Sequence, residues 1–163
     1  MSKSSTGPIL GITGHQTLSD TTRNLVGQGI RKALPRGRLT GVSSLAAGAD
    51  QIFAEVVTSL GGNLIAVLPC RNYEDSFPTQ ADLAKCRDLL SVAVRVITMP
   101  FDDPSEEAYW QAGREIVRQA DRMLAVWDGR PAAGLGGTAD VVRYAQSEGK
   151  PVQIIWPEGA SRE

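Results

Sequence analysis

The sequence predicts a three-layer α/β fold built on a mainly parallel sheet of about six strands. Three observations carry this. Short apolar runs alternate with amphipathic stretches from one end of the chain to the other. The apolar runs are continuous, as strands covered on both faces must be. The amphipathic stretches place apolar residues three and four apart, as core-facing helices do.

Each element follows from its own signals. Residues 8–13 (PILGIT) read as a buried strand that ends at Gly14. Ser19 or Asp20 caps a helix reaching to about Leu34, where Pro35 and Gly37 stop it. Residues 39–43 form a second strand. A helix over 49–60 sets Ile52, Phe53, Val56, Val57 and Leu60 on one face, and Gly61 and Gly62 end it. Residues 63–68 (NLIAVL) are a third buried strand closed by Pro69, and 71–78 are a polar loop. A helix over 79–91 precedes a fourth strand at 94–99. Ser105 is the candidate cap of a helix over 106–119. Residues 122–127 (RMLAVW) are the fifth strand, followed by a glycine-rich loop over 128–137. A helix over 138–148 ends at Gly149, and 152–156 is the last strand. This order implies right-handed crossovers and a Rossmann-like architecture. The expectation is one domain over 1–163, with flexible tails at about 1–7 and 158–163.

Bulk properties narrow the function. The chain has 163 residues, 42% hydrophobic and 21% charged, ordinary for one globular domain. A net charge of −1 argues against a large nonspecific nucleic-acid footprint. Lys3, Arg23, Arg31, Lys32, Arg36 and Arg38 concentrate basic charge near the start, which reads as a solvated helix face and loop. The two cysteines, Cys70 and Cys86, match no zinc spacing, and the chain has one histidine, so no metal site is expected. No apolar run approaches the ~20 residues of a membrane span, and the polar start has no signal-peptide core. A cytoplasmic protein, homo-oligomeric in its assembly, is the expectation.

In an open parallel sheet, ligands bind beyond the carboxyl ends of the strands. Three loops on that edge are unusual. The first runs through Gly11, Thr13, Gly14 and His15, where glycine permits close backbone approach and the next helix offers N–H groups to an anion. The second runs through Ser43, Ala47, Gly48 and Asp50. Asp50 sits in a helix's first turn, where it either complements the macrodipole or accepts hydrogen bonds from a ribose. The third contains Gly134, Gly136 and Gly137 and leads into Thr138, a phosphate cradle with a hydroxyl donor. Convergence of the three implies a nucleotide or nucleotide-derived ligand. Tyr109 or Trp110 could stack on a base, although core or interface packing explains both. Arg114 could reach a phosphate or form a surface ion pair.

The runs GITGHQ, SSLAAGAD and GLGGTADVV, in this order, together resemble the SLOG superfamily. That group includes the Rossmann-like domain of the DNA-processing protein A (DprA/Smf) family and the lonely-guy phosphoribohydrolases, the "lysine decarboxylase-like" proteins. The stretch Leu45-Ala46-Ala47-Gly48-Ala49-Asp50 is similar to the GLAxGID segment of the DNA-processing family. The resemblance spans about Ile9 to Trp156. It implies a Rossmann-like fold with a nucleotide-type ligand at the three loops.

The chain departs from the enzymes of that group at one position. Lonely-guy enzymes carry PGGxGTxxE, with a catalytic glutamate. Setting its GT on Gly137-Thr138 puts Val141 where the glutamate belongs, and a valine is neither nucleophile nor general base. Asp140 is displaced by about 100° around the helix. The favoured reading is noncatalytic binding by a sensor or carrier. An N-glycosidic hydrolase acting on nucleoside monophosphates would need another carboxylate, from Asp50, Glu115, Asp128 or Asp140, with Asp128 and Asp140 the candidates for catalysis. A single-stranded DNA binder is a third reading, disfavoured by the charge.

Overall fold

A computed structural model describes residues 7–131 and 137–161. The strands are β1 (Ile9–Gly14), β2 (Thr40–Ser43), β3 (Asn63–Leu68), β4 (Arg95–Thr98), β5 (Arg122–Val126) and β6 (Val152–Ile154). The helices are α1 (Asp20–Ala33), α2 (Ala49–Ser59), α3 (Gln80–Val92), α4 (Glu106–Gln119) and α5 (Thr138–Ser147). A short 3-10 helix at Tyr73–Ser76 interrupts the stretch that the sequence presents as a plain polar loop.

All six strands pair in parallel, in the order β4-β3-β2-β1-β5-β6. The chain walks outward from β1 to β4, then returns to β5 on the other side of β1. The strand order therefore reverses at the β1–β5 pair, where Gly14 lies in register with Val126. In such sheets that reversal opens a crevice at the carboxyl ends of the two strands.

Alternation along the strands feeds two cores. Leu10 and Ile12 of β1 join Phe53, Val57, Val26 and Ile30 on the face covered by α1 and α2. Leu64 and Ala66 of β3 extend that face to Cys86 and Leu89 of α3. Val42, Val67 and Met123 point the other way, onto Ile116 and Val117 of α4 and Val141 and Ala145 of α5. Period-two alternation is what lets each strand serve both layers. Coverage on both faces fails at the margins: Arg95, Val96 and Thr98 of β4 and Gln153 and Ile154 of β6 are exposed. The outermost strands lack a second neighbour, so their apolar residues do not imply full burial.

Helix starts follow local chemistry. Ser19, Thr79 and Ser105 each accept a backbone N–H of the following turn and so cap α1, α3 and α4. By contrast α2 and α5 begin at Gly48 and Gly137, with no side-chain cap. After β6 the backbone returns to α1, where the Ser161 N–H donates to Thr22 Oγ1 at 2.8 Å. That bond ties the last of the described residues to α1. Both cysteines are buried free thiols. Among the described residues, no helix is long and apolar enough to cross a membrane.

Candidate functional site

Beyond the carboxyl ends of β1, β2 and β5 lies a cavity of about 380 Å³. This falls in the size range of small-molecule sites. Thr13, Gly14 and His15 line it from β1 and its loop, Asp50 from the first turn of α2, and Gly137 and Thr138 from the start of α5. All three loops singled out in the sequence therefore reach one space. Gly134 and Gly136 lie outside the described residues.

Four of the predicted residues do not line the cavity. Gly11 faces α4, and a Cβ there would stand 2.5 Å from the Met123 sulfur and 2.7 Å from Ile116. Its lack of a side chain admits helix α4 close to the strand. The buried Ser43 hydroxyl donates to the Asp50 carbonyl at 3.0 Å and accepts the Leu45 N–H at 3.0 Å, fixing the turn out of β2. Ala47 is buried and does not line the cavity. Gly48, at φ +86°, lies where its loop crosses the β1 loop, and a Cβ there would stand 2.4 Å from the Gln16 carbonyl oxygen. The crossing is tied by the Ala49 N–H, which donates to the His15 carbonyl at 3.1 Å.

His15 and Asp128 join the two sides of the crevice. The Asp128 N–H donates to His15 Nε2 at 3.2 Å, and the Asp128 carboxylate lies 3.4 Å from the same nitrogen. That carboxylate also accepts the Arg130 N–H at 3.0 Å, closing a turn that presents Arg130 to the cavity. Asp128 thus shapes the β5 loop and does not itself line the cavity. On α5 the Asp140 carboxylate pairs with Arg143, while Val141 lines the cavity at 3% exposure. The position at which the resemblance would set a glutamate is therefore apolar in space as well as in sequence. Glu115 accepts from Arg118 and Gln119 and does not line the cavity.

Of the α4 aromatics, Tyr109 lines the cavity. Trp110 packs edge-on against Tyr144, with centroids 5.7 Å apart, and the Arg114 guanidinium lies over the same Tyr144 ring at 5.2 Å. This gives Arg114 an aromatic partner in place of the expected phosphate or carboxylate.

Sequence reasoning missed Tyr73, Glu106, Trp127 and Arg130, which also line the cavity. Tyr73 is the most informative. It is 3% exposed, and its hydroxyl, buried, has no hydrogen-bond partner among the described residues. Its ring is held by Phe77 and Tyr109 at centroid distances of 5.0 and 6.4 Å. The wall beneath it is zipped: the Arg71 and Asn72 N–H groups donate to the carbonyls of Phe101 and Asp102. The available signal was a pair of aromatics, Tyr73 and Phe77, within an otherwise polar loop on the ligand edge of the sheet.

Electrostatics single out the same corner. Burial pushes the Asp50 carboxyl up to about 7, against the lowering effect of a hydrogen bond from the Ala46 backbone. Burial, and next the charge of Asp50, raises the Tyr73 phenol well above its ordinary value. A buried hydroxyl without a partner costs about 1–3 kcal/mol. Tyr73→Phe is therefore expected to leave the free protein as stable as before, or to stabilise it by up to about 1 kcal/mol, in denaturant unfolding. Loss of more than about 1 kcal/mol would mean that the hydroxyl is satisfied within the fold.

No family model matches the chain, and no curated protein matches it in sequence. Solved structures do match. DNA processing protein A from Streptococcus pneumoniae aligns over 90% of this chain and 50% of its own, at 19% identity and a TM-score of 0.64. DNA processing protein A from Helicobacter pylori, described with its single-stranded DNA binding mode, aligns over 92% of this chain and 66% of its own, at 16% identity and a TM-score of 0.67. The molybdenum cofactor carrier protein of Chlamydomonas reinhardtii aligns over 90% of this chain and 75% of its own, at 18% identity and a TM-score of 0.55. The chain thus spans half to two thirds of the DNA processing proteins it matches. It shares the Rossmann-like α/β fold of these proteins.

Proposed function

We propose that this chain is a noncatalytic binding protein for a small phosphorylated molecule, nucleotide-derived, held in the cavity at the β1–β5 reversal. The observation that carries this is the convergence of the β1 loop, the β5 loop and the starts of α2 and α5 on one space. The start of α5 lacks a side-chain cap, and Thr138 and Arg130 stand beside it as donors. Helix-start N–H groups, a hydroxyl and a guanidinium form a donor set suited to a phosphate. The likeness to carriers of a cofactor supports small-molecule binding. Val141 on the cavity wall and Asp140 paired away support binding without bond cleavage.

Thermal unfolding in a panel of nucleoside monophosphates tests this. A ligand at about 100 times its Kd stabilises by about 2.7 kcal/mol. For a chain of this size the midpoint then rises by roughly 5–11 °C. Thr138→Val is expected to weaken binding about tenfold, the worth of one charge-assisted hydrogen bond. No shift with any monophosphate, or with inorganic phosphate, overturns the proposal. Release of free base from a monophosphate would replace it with the hydrolase reading. Tight binding of an oligonucleotide that survives about 200 mM salt would replace it with the single-stranded DNA reading.

A further inference from the structure

Two polar groups on the cavity wall stand apart from the donors assigned to a phosphate. They are the Asp50 carboxyl, which as a carboxylate repels an anion, and the Tyr73 hydroxyl, buried with no partner among the described residues. They come from the connections after β2 and β3, whereas Arg130, Gly137 and Thr138 come from the connection after β5. Since β2 and β5 flank β1 on opposite sides, the strand that leads to Asp50 lies two spacings, about 10 Å, from the strand that leads to the phosphate donors, and the strand that leads to Tyr73 lies one spacing further. That is the scale of a nucleotide, with its phosphate over β5 and its ring over β2.

Resting on the binding reading above, we infer that Asp50 and Tyr73 read the ring of the ligand, and that the ring is of the guanine type. Such a ring presents an N–H beside an exocyclic NH₂. A carboxylate accepts both at once, in a bidentate pair. Adenine presents an acceptor nitrogen beside its NH₂, so an ionised carboxylate opposes it with a lone pair against a lone pair. The ring carbonyl next to the guanine N–H offers an acceptor to the otherwise unpartnered Tyr73 hydroxyl. Tyr109, edge-on to Tyr73, supplies an aromatic wall along the ring. The Tyr73 hydroxyl then has the partner that it lacks among the described residues.

The charge state adds a second readout. With its carboxyl raised to about 7, Asp50 is largely protonated at pH 6 and largely ionised at pH 8. A ligand that needs the carboxylate therefore gains affinity as pH rises, by about tenfold over that interval. The other titratable or charged groups lining the cavity are His15, from the loop after β1, Tyr73, Glu106 and Tyr109 of α4, and Arg130. Asp50→Asn removes the carboxyl alone, so any slope it leaves belongs to those groups.

Calorimetric titration of the whole chain with GMP, AMP and inorganic phosphate, at pH 6 and pH 8, tests the inference. The native chain is expected to bind GMP at least tenfold more tightly than AMP at pH 8, with the preference shrinking at pH 6. An amide in place of the carboxyl sets a donor beside an acceptor, which matches adenine. Asp50→Asn is therefore expected to lose at least tenfold for GMP, to hold or gain for AMP, and to lose the pH dependence. Tyr73→Phe is expected to weaken GMP several-fold and leave phosphate unchanged. Equal affinity for GMP and AMP, or equal weakening of both by Asp50→Asn, overturns the inference while phosphate and AMP binding keep the binding reading intact. If neither nucleotide nor phosphate binds, both fall.

Discussion

Replacing Gly48 with alanine is expected to cost the fold at least about 3 kcal/mol and to lower its thermal midpoint by roughly 6–12 °C. Two penalties combine. Gly48 holds φ +86° and ψ −131°, a region that L side chains rarely adopt and that costs about 1–3 kcal/mol when forced. Its Cβ would also stand 2.4 Å from the Gln16 carbonyl oxygen and 2.6 Å from that of His15. Both contacts are backbone, so no flexible side chain can yield. To make room, the β1 loop must move away from the start of α2, breaking the Ala49–His15 hydrogen bond that pins the crossing. The ligand cavity should be lost with it, because His15 and Gln16 line that space. Gly61→Ala separates the two penalties. Gly61 also has positive φ, at +81°, but its Cβ would meet nothing within 4 Å. About 1 kcal/mol is expected there. Equal losses in the two variants, measured by urea unfolding, would show that the loops do not cross as tightly as described.

Asp50→Asn is expected to stabilise the free protein at neutral to alkaline pH. The carboxyl is raised from 3.8 to about 7, chiefly by burial. The folded chain therefore keeps a proton that the unfolded chain has already released. Its contribution to stability is complete below about pH 4, falls as pH rises, and is gone above about pH 7. Asparagine has no charge to bury and escapes this loss. At pH 8 the variant should gain about 2 kcal/mol, allowing for the water that reaches a half-buried group, or roughly 4–8 °C in midpoint. At pH 4 the two proteins should unfold together. A variant less stable than the native chain at pH 8 would show that the carboxylate is well paired in the fold, and the corner formed with Tyr73 would have no need of a ligand. Native chain and variant should converge again at pH 8 when a ligand that pairs with the carboxylate is added, since binding then repays only the native chain.

Much of the architecture was legible along the chain. Continuous apolar runs at 63–68 and 122–127, hydroxyl caps at Ser19 and Ser105, and stops at Pro35 and Gly149 are local signals, and local chemistry decides them. The three-loop reading was legible for a related reason. Glycines between a strand and a helix mark close approach, and in a parallel sheet all such junctions share one edge. What approaches closely was not legible. At Gly11 it is helix α4, at Gly48 the neighbouring loop and at Gly14 the side chains of Ala49 and Val126, although Gly14 and Gly137 also border the cavity. A missing Cβ looks the same in sequence whichever neighbour requires it.

The sequence by itself settled the order of elements, the sheet's parallel sense and the apolar residue at 141, because periodicity, capping and residue chemistry are properties of short segments. Only the tertiary structure decided which side chains share a space. Tyr73 and Asp50 are separated along the chain by a helix and a strand and meet because β2 and β3 are neighbours in the sheet. Burial then gives each a character its residue type does not have in water: a carboxyl that holds its proton to about pH 7, and a phenol with no partner among the described residues. Desolvation depends on everything packed around a group, so no window of sequence contains it.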